Sequence, residues 1–126
     1  MALAANTLKA NSTRAAFVAD FPAGSHVRYY TGAVPAATAA ATGTVVADVP
    51  LPASPWDVSV DGVASKGAAA WTTTTKLAGT PTYGRIVDAA GTKWSQFVIG
   101  VDGTASAVAT AGDAYTITAF TVTFPG

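Results

Sequence analysis

The sequence predicts an all-β chain folded as a β-sandwich or jelly roll, with a short N-terminal helix or arm. Three observations carry this expectation. Turn signals such as Asp61-Gly62, Asp88 to Gly91 and Asp102-Gly103 recur at intervals of about 8–12 residues. The segments between them alternate apolar and polar residues with period two. Those segments are also rich in Val, Ile, Thr and aromatic residues, which fit a pleated surface. No solenoid-type repeat is present. At 126 residues the chain is most simply one domain, residues 12–126, behind an arm of residues 1–11.

In chain order, residues 1–11 mix Ala, Asn, Thr and Lys with Leu3 and Leu8, and read as an extended arm or a frayed helix start. Ser12 or Thr13 caps a brief helix whose apolar side is Ala16, Phe17 and Phe21, and Pro22 and Gly24 end it. His26 to Tyr30 is a strand stopped by Thr31-Gly32. Residues 33–43 are a low-complexity Ala/Thr/Pro stretch, too small in side chain to anchor a core, and are expected as a surface loop. Val45, Ala47, Val49 and Leu51 alternate with Val46, Asp48 and Pro50, and the prolines that follow put this strand at a sheet edge.

Val58 to Ser65 is a hairpin about Asp61-Gly62. Ala69 to Thr75 is a strand centred on Trp71. Tyr83 to Val87 and Lys93 to Ile99 form a hairpin, and Ser106 to Thr110 is a short strand. Tyr115 to Phe124 reads as the longest strand. Its large apolar residues change phase between Ile117 and Phe120, so it is either bulged near Ala119 or buried on both faces.

Charged residues are 11% of the chain, against about 25% in ordinary soluble domains. There is no glutamate, and the formal net charge is zero. Near-zero net charge favours association, as expected of a protein that works docked; a base-composition bias would leave the same mark. The seven Lys and Arg are scattered singly, which is no footprint for nucleic acid. No cysteine is present, so disulfides and thiolate metal sites are excluded. The N-terminus lacks the basic and apolar regions of a secretory signal. No apolar stretch approaches the ~20 residues of a membrane-spanning helix.

The parts list for catalysis is short. His26 is the only histidine, and no Gly-x-Ser-x-Gly elbow occurs. Asp61, Asp88, Asp102 and Asp113 all fall at turns, where Asp caps local backbone. No spacing proposes a carboxylate pair, a calcium loop or a phosphate loop. The expectation is a non-enzyme without cofactor or metal. Among the aromatics, Trp71 and Trp94 sit mid-strand and read as core or subunit interface. Trp56, between Pro55 and Asp57 in a loop, reads as exposed and so as an interface anchor. Trp56, Trp71 and Trp94 with Tyr29, Tyr30 and Tyr83 also make a candidate carbohydrate platform.

Arg28-Tyr29-Tyr30-Thr31-Gly32-Ala33-Val34-Pro35-Ala36 resembles the R-I-Y-T-G-x-x-P-A strand and turn of small structural proteins of tailed bacteriophages and prophages. Tyr83 to Thr92 resembles their x-x-R-[IL]-x-D-x-x-G-x hairpin, and Ala111 to Thr118 their A-G-x-x-[VY]-x-I-T final strand. The Pro50 to Pro55 segment departs from that pattern, as does the lack of an acid at the helix start. The resemblance implies a virion protein similar to capsid decoration (cement) proteins, made in the host cytoplasm and carried on the capsid surface. Its partners would be itself, as a dimer or trimer, and the major capsid protein. A tail or head–tail connector subunit is the nearest alternative, and a carbohydrate-binding β-sandwich module a more distant one. Interface residues are expected at Met1, Leu3 and Leu8 on the arm and at Tyr29, Tyr30 and Trp56.

Overall fold

The computed structural model describes residues 14–57, 63–74, 77–100 and 112–123. Helix α1 spans residues 14–20, and Pro22 follows directly after Phe21 to end it. Phe17 and Phe21, four positions apart, turn to the core, whereas Ala16 is exposed. The expected caps, Ser12 and Thr13, lie outside the described residues, as does the arm with Met1, Leu3 and Leu8.

Eight strands follow: β1 (His26–Tyr30), β2 (Val45–Pro50), β3 (Val63–Ser65), β4 (Trp71–Thr73), β5 (Tyr83–Val87), β6 (Trp94–Val98), β7 (Tyr115–Ile117) and β8 (Thr121–Thr123). The fold is all-β with one short helix. An antiparallel sheet of order β2-β1-β5-β6 forms one layer. The antiparallel ladder β4-β7 packs against it beside β2, and β3-β8 forms a second two-stranded ladder. β2 lies at the edge, as its prolines require.

The register sorts side chains by face, since directly opposed residues share one. Val49, Val27 and Ile86 are opposed across β2, β1 and β5, and Ala47, Tyr29, Gly84 and Phe97 across all four strands. These residues face the second layer. Between Tyr29 and Tyr30 the β1-β2 register shifts, leaving Val46 as an extra residue. This bulge buries Val46 and Ala47 together, so the simple alternation expected for β2 fails at that point.

The β5-β6 hairpin forms as the sequence dictates. Asp88 accepts bonds from the Thr92 and Lys93 amides and from the Thr92 hydroxyl, and Gly91 has φ 75°. The final strand does not run unbroken. Tyr115–Ile117 pairs with β4, residues 118–120 leave the ladder, and Thr121–Thr123 pairs with β3. The change of phase after Ile117 is a change of partner rather than a bulge. Of the expected 58–65 hairpin, residues 58–62 lie outside the described residues; its base is closed by the Trp56–Lys66 bridge and by Asp57 N–H donating to Ser65. The Asp102-Gly103 turn and the Ser106–Thr110 strand also lie outside.

The core is threaded by aromatic rings. Phe21 meets Phe17, Phe17 meets Trp56, Trp56 meets Trp71, and Trp71 meets Phe120. Phe120 then meets Phe97, Phe97 meets Tyr29, and Tyr29 meets Tyr115. All the centroid separations lie between 4.9 and 5.7 Å. Trp71 is fully buried and Trp94 is 36% exposed, although both occupy strands. Replacing Trp71 by Ala is therefore expected to cost about 3–5 kcal/mol, and replacing Trp94 by Ala about 1 kcal/mol. Equal shifts in denaturation midpoint for the two variants would contradict this division of the rings.

Candidate functional site

The outer face of the four-stranded sheet carries His26, Arg28 and Tyr30 from β1, Asp48 from β2, Tyr83, Arg85 and Val87 from β5, and Trp94 and Gln96 from β6. Tyr30 and Tyr83 are opposed and stack, with centroids 4.9 Å apart and planes 8° from parallel. Arg28 is opposed to Arg85. Asp48 accepts from Arg28 Nε at 3.2 Å and pairs with His26 Nδ1 at 2.7 Å.

Residues 32–43 cross this face as a loop whose two ends meet. Thr31 N–H donates to Thr44 O, and a Cβ on Gly43 would lie 1.8 Å from Thr31 O. Only glycine fits there. The loop has few side chains able to grip the sheet, so the sheet grips its backbone. Tyr83 Oη accepts from Thr42 N–H and donates to Thr42 O. Arg85 Nη2 donates to Ala39 O at 2.6 Å and more distantly to Ala36 O, Trp94 Nε1 to Ala37 O at 2.7 Å, and Gln96 Nε2 to Pro35 O at 2.8 Å. Thr82 Oγ1 holds Gly32 O. The loop's exposed side chains are uncharged, and Val34 is the largest of them.

Arg85 is 3% exposed and, among the described residues, makes no ion pair. Its guanidinium is held by two carbonyls, by Gln96 Oε1 at 2.9 Å and by the face of Trp94 at 5.0 Å. Neutral acceptors and a π-face make a buried cation tolerable without a counter-ion.

Of the residues expected at an interface, Tyr29, Tyr30 and Trp56 are among the described residues. Tyr29 and Tyr30 are 4% and 7% exposed. The first points into the core against Phe97 and Tyr115, and the second lies beneath its stack with Tyr83, so neither forms an open contact surface within this chain. Trp56 is half-buried rather than exposed. Its ring packs on Phe17, Trp71 and Phe120, and its Nε1 donates to Phe21 O at 2.8 Å. A carbohydrate platform built from these three rings is therefore not displayed. Trp94 is the tryptophan at the surface. The loop itself is expected from its composition, but its fastening by Arg85 has no local sequence signal beyond an arginine inside an otherwise apolar β5.

His26, the one histidine, is engaged by Asp48. Among the described residues no group of three His, Asp or Glu is arranged to hold a metal ion. No helix among them is long and apolar enough to cross a membrane. Comparison with protein-family models, curated proteins and solved structures gives no match.

Burial pushes the Tyr29 phenol well above its ordinary range, and Tyr115 adds to the effect. Burial also raises Tyr30, partly offset by Arg28. A phenol whose proton is held more tightly in the folded state stabilises the fold fully below the unfolded value of about 10, and that contribution is lost as pH rises through the folded value. Melting temperature should therefore fall as pH rises beyond about 10, and less steeply in Tyr29→Phe. Identical alkaline slopes for the two proteins would contradict the assignment.

Proposed function

We propose that the chain is a virion structural subunit, a capsid decoration protein that associates with copies of itself and with the major capsid protein. The observation that supports this most is where the three phage-like stretches lie. They begin at residues 28, 83 and 111, yet all three meet at Tyr29. Tyr29 belongs to the first stretch, is opposed to Gly84 of the second, and contacts the ring of Tyr115 of the third at 5.4 Å. The first and second are joined again where Arg85 binds the carbonyl of Ala36. The three stretches thus belong to one connected part of the fold, which supports reading them together.

On this reading the sandwich lies across joints between capsid subunits, where several weak contacts act together. The arm, with Met1, Leu3 and Leu8, adds a further tether by pairing with a neighbour's open sheet edge. Light scattering of the purified protein, followed by sedimentation with emptied phage heads, tests it. A dimer or trimer bound at on the order of hundreds of copies per head is the expected result. About six or twelve copies would indicate a tail or connector subunit. A monomer that leaves heads untouched would overturn the proposal.

A further inference from the structure

We propose that residues 32–43 are a releasable strap, and that the carboxylate of an acidic partner segment is what releases it. The inference rests on the outer face of the sheet and holds whatever larger body the chain joins.

Three features point to it. The strap is hinged at Gly32 and Gly43, both with positive φ (95° and 81°), and its ends are pinched together by Thr31 and Thr44. Such residues pivot without the steric cost that a Cβ imposes. The strap is also fastened almost entirely from outside itself, by Tyr83, Arg85, Trp94, Gln96 and Thr82 acting on its backbone. Within it, only Ala39 N–H to Ala36 O and Thr42 Oγ1 to Ala33 O hold its shape. Opening it therefore breaks one set of contacts and leaves the sheet ladder intact.

The third feature is charge. The four strands of the sheet carry Arg28 and Arg85 opposed on one face, with His26 beside them, and Asp48 is their sole acid. Asp48 is already shared between His26 and Arg28. Arg85 is left with neutral carbonyl acceptors beneath a strap that contains no charged residue. A guanidinium binds a carboxylate through two parallel bonds between opposite charges, a fork-to-fork pairing that separate neutral carbonyls cannot match. An Asp or Glu side chain that reaches Arg85 thus displaces the carbonyls of Ala36 and Ala39. Both belong to exposed residues, so the released carbonyls pass to water rather than into the interior. The strap then lifts, and Tyr83, Trp94 and Gln96 become available to the incoming segment. Closed, the protein shows small uncharged side chains; open, it shows a cationic and aromatic sheet face.

The chain has three tryptophans, so its indole N–H signals are separable by NMR. Trp94 reports on the strap through its bond to Ala37, whereas Trp56 reports on the core through its bond to Phe21. Hydrogen exchange is followed during titration with a hexa-aspartate peptide and with its asparagine counterpart, at low salt. The aspartate peptide should speed exchange of the Trp94 indole and the Thr42 amide roughly tenfold, leaving Trp56 and the β1 amides unchanged. Added salt should weaken the effect, and Arg85→Met should abolish it. No acceleration, or equal acceleration by the asparagine peptide, would overturn the proposal. Should Arg85→Met fail to fold, the comparison of the two peptides on the native chain still decides. Tyr83→Phe, which removes only the hydroxyl holding Thr42, should by itself speed Trp94 indole exchange; an unchanged rate would show that the strap does not move as a unit.

Discussion

The ring of Phe97 lies where a side chain on Gly84 would have to be, and the joining of the two layers depends on that vacancy. A Cβ on Gly84 would sit 2.4 Å from Cζ of Phe97 and 2.6 Å from Cε2. Because it is absent, a ring from the edge strand β6 lies across β5 and reaches Tyr29 on β1. The same ring touches Phe120, in the segment where the chain passes from the β4-β7 ladder to the β3-β8 ladder. Through Phe120 it is linked to Trp71, Trp56 and helix α1. Aromatic pairs in edge and tilted geometry contribute about 0.5–1.5 kcal/mol each beyond their burial. A connected series of them makes the short ladders of the second layer depend on the sheet, since three-residue strands have little stability of their own.

The two faces of the sheet solve opposite problems. The inner face buries rings against rings and asks little of hydrogen bonding. The outer face must cover Arg85, Tyr83 and Tyr30 with a segment made of Ala, Thr, Val, Pro and Gly. Such a segment has almost no apolar area with which to hold itself down, so long polar side chains on the sheet take up its carbonyls instead. An arginine suits this task because its planar fork addresses several oxygens at once while its flat face rests on Trp94. The conformation of residues 32–43 is thereby written mainly in β5 and β6, at positions roughly fifty residues further along the chain.

That separation accounts for what was legible in the sequence. β1 and the β5-β6 hairpin were plain because alternation and the Asp88-to-Gly91 turn act over a few residues. The short helix was legible from Phe17, Phe21 and Pro22. The edge position of β2 followed from its prolines, but its bulge did not, because pairing with Tyr29 and Tyr30 decides which of Val45, Val46 and Ala47 turns inward. The final segment looked like one strand because a change of partner leaves only a shift of phase. Trp56 lies deeper than its loop suggests for a similar reason. Proline-flanked loops usually lie outside, yet the Trp56–Lys66 bridge and the bond to Phe21 draw Trp56 into the core. Trp94, mid-strand, belongs to the outer face of an edge strand. The strap's latch had no signal within the strap at all.

The dependence of both layers on the Phe97–Gly84 contact is tested most directly by a double-mutant cycle between Gly84→Ala and Phe97→Leu, measured by chemical denaturation. Leucine lacks the two ring atoms that an alanine Cβ would strike. In the native background Gly84→Ala should cost about 1–3 kcal/mol, the usual penalty of overpacking. In the Phe97→Leu background the loss should shrink to within about 1 kcal/mol of zero, because the remaining close contact, Arg28 O at 3.1 Å, needs only a small backbone shift that the lower entropy of the unfolded chain offsets. An equal loss in both backgrounds would show that the ring and the glycine are independent, and would contradict the account.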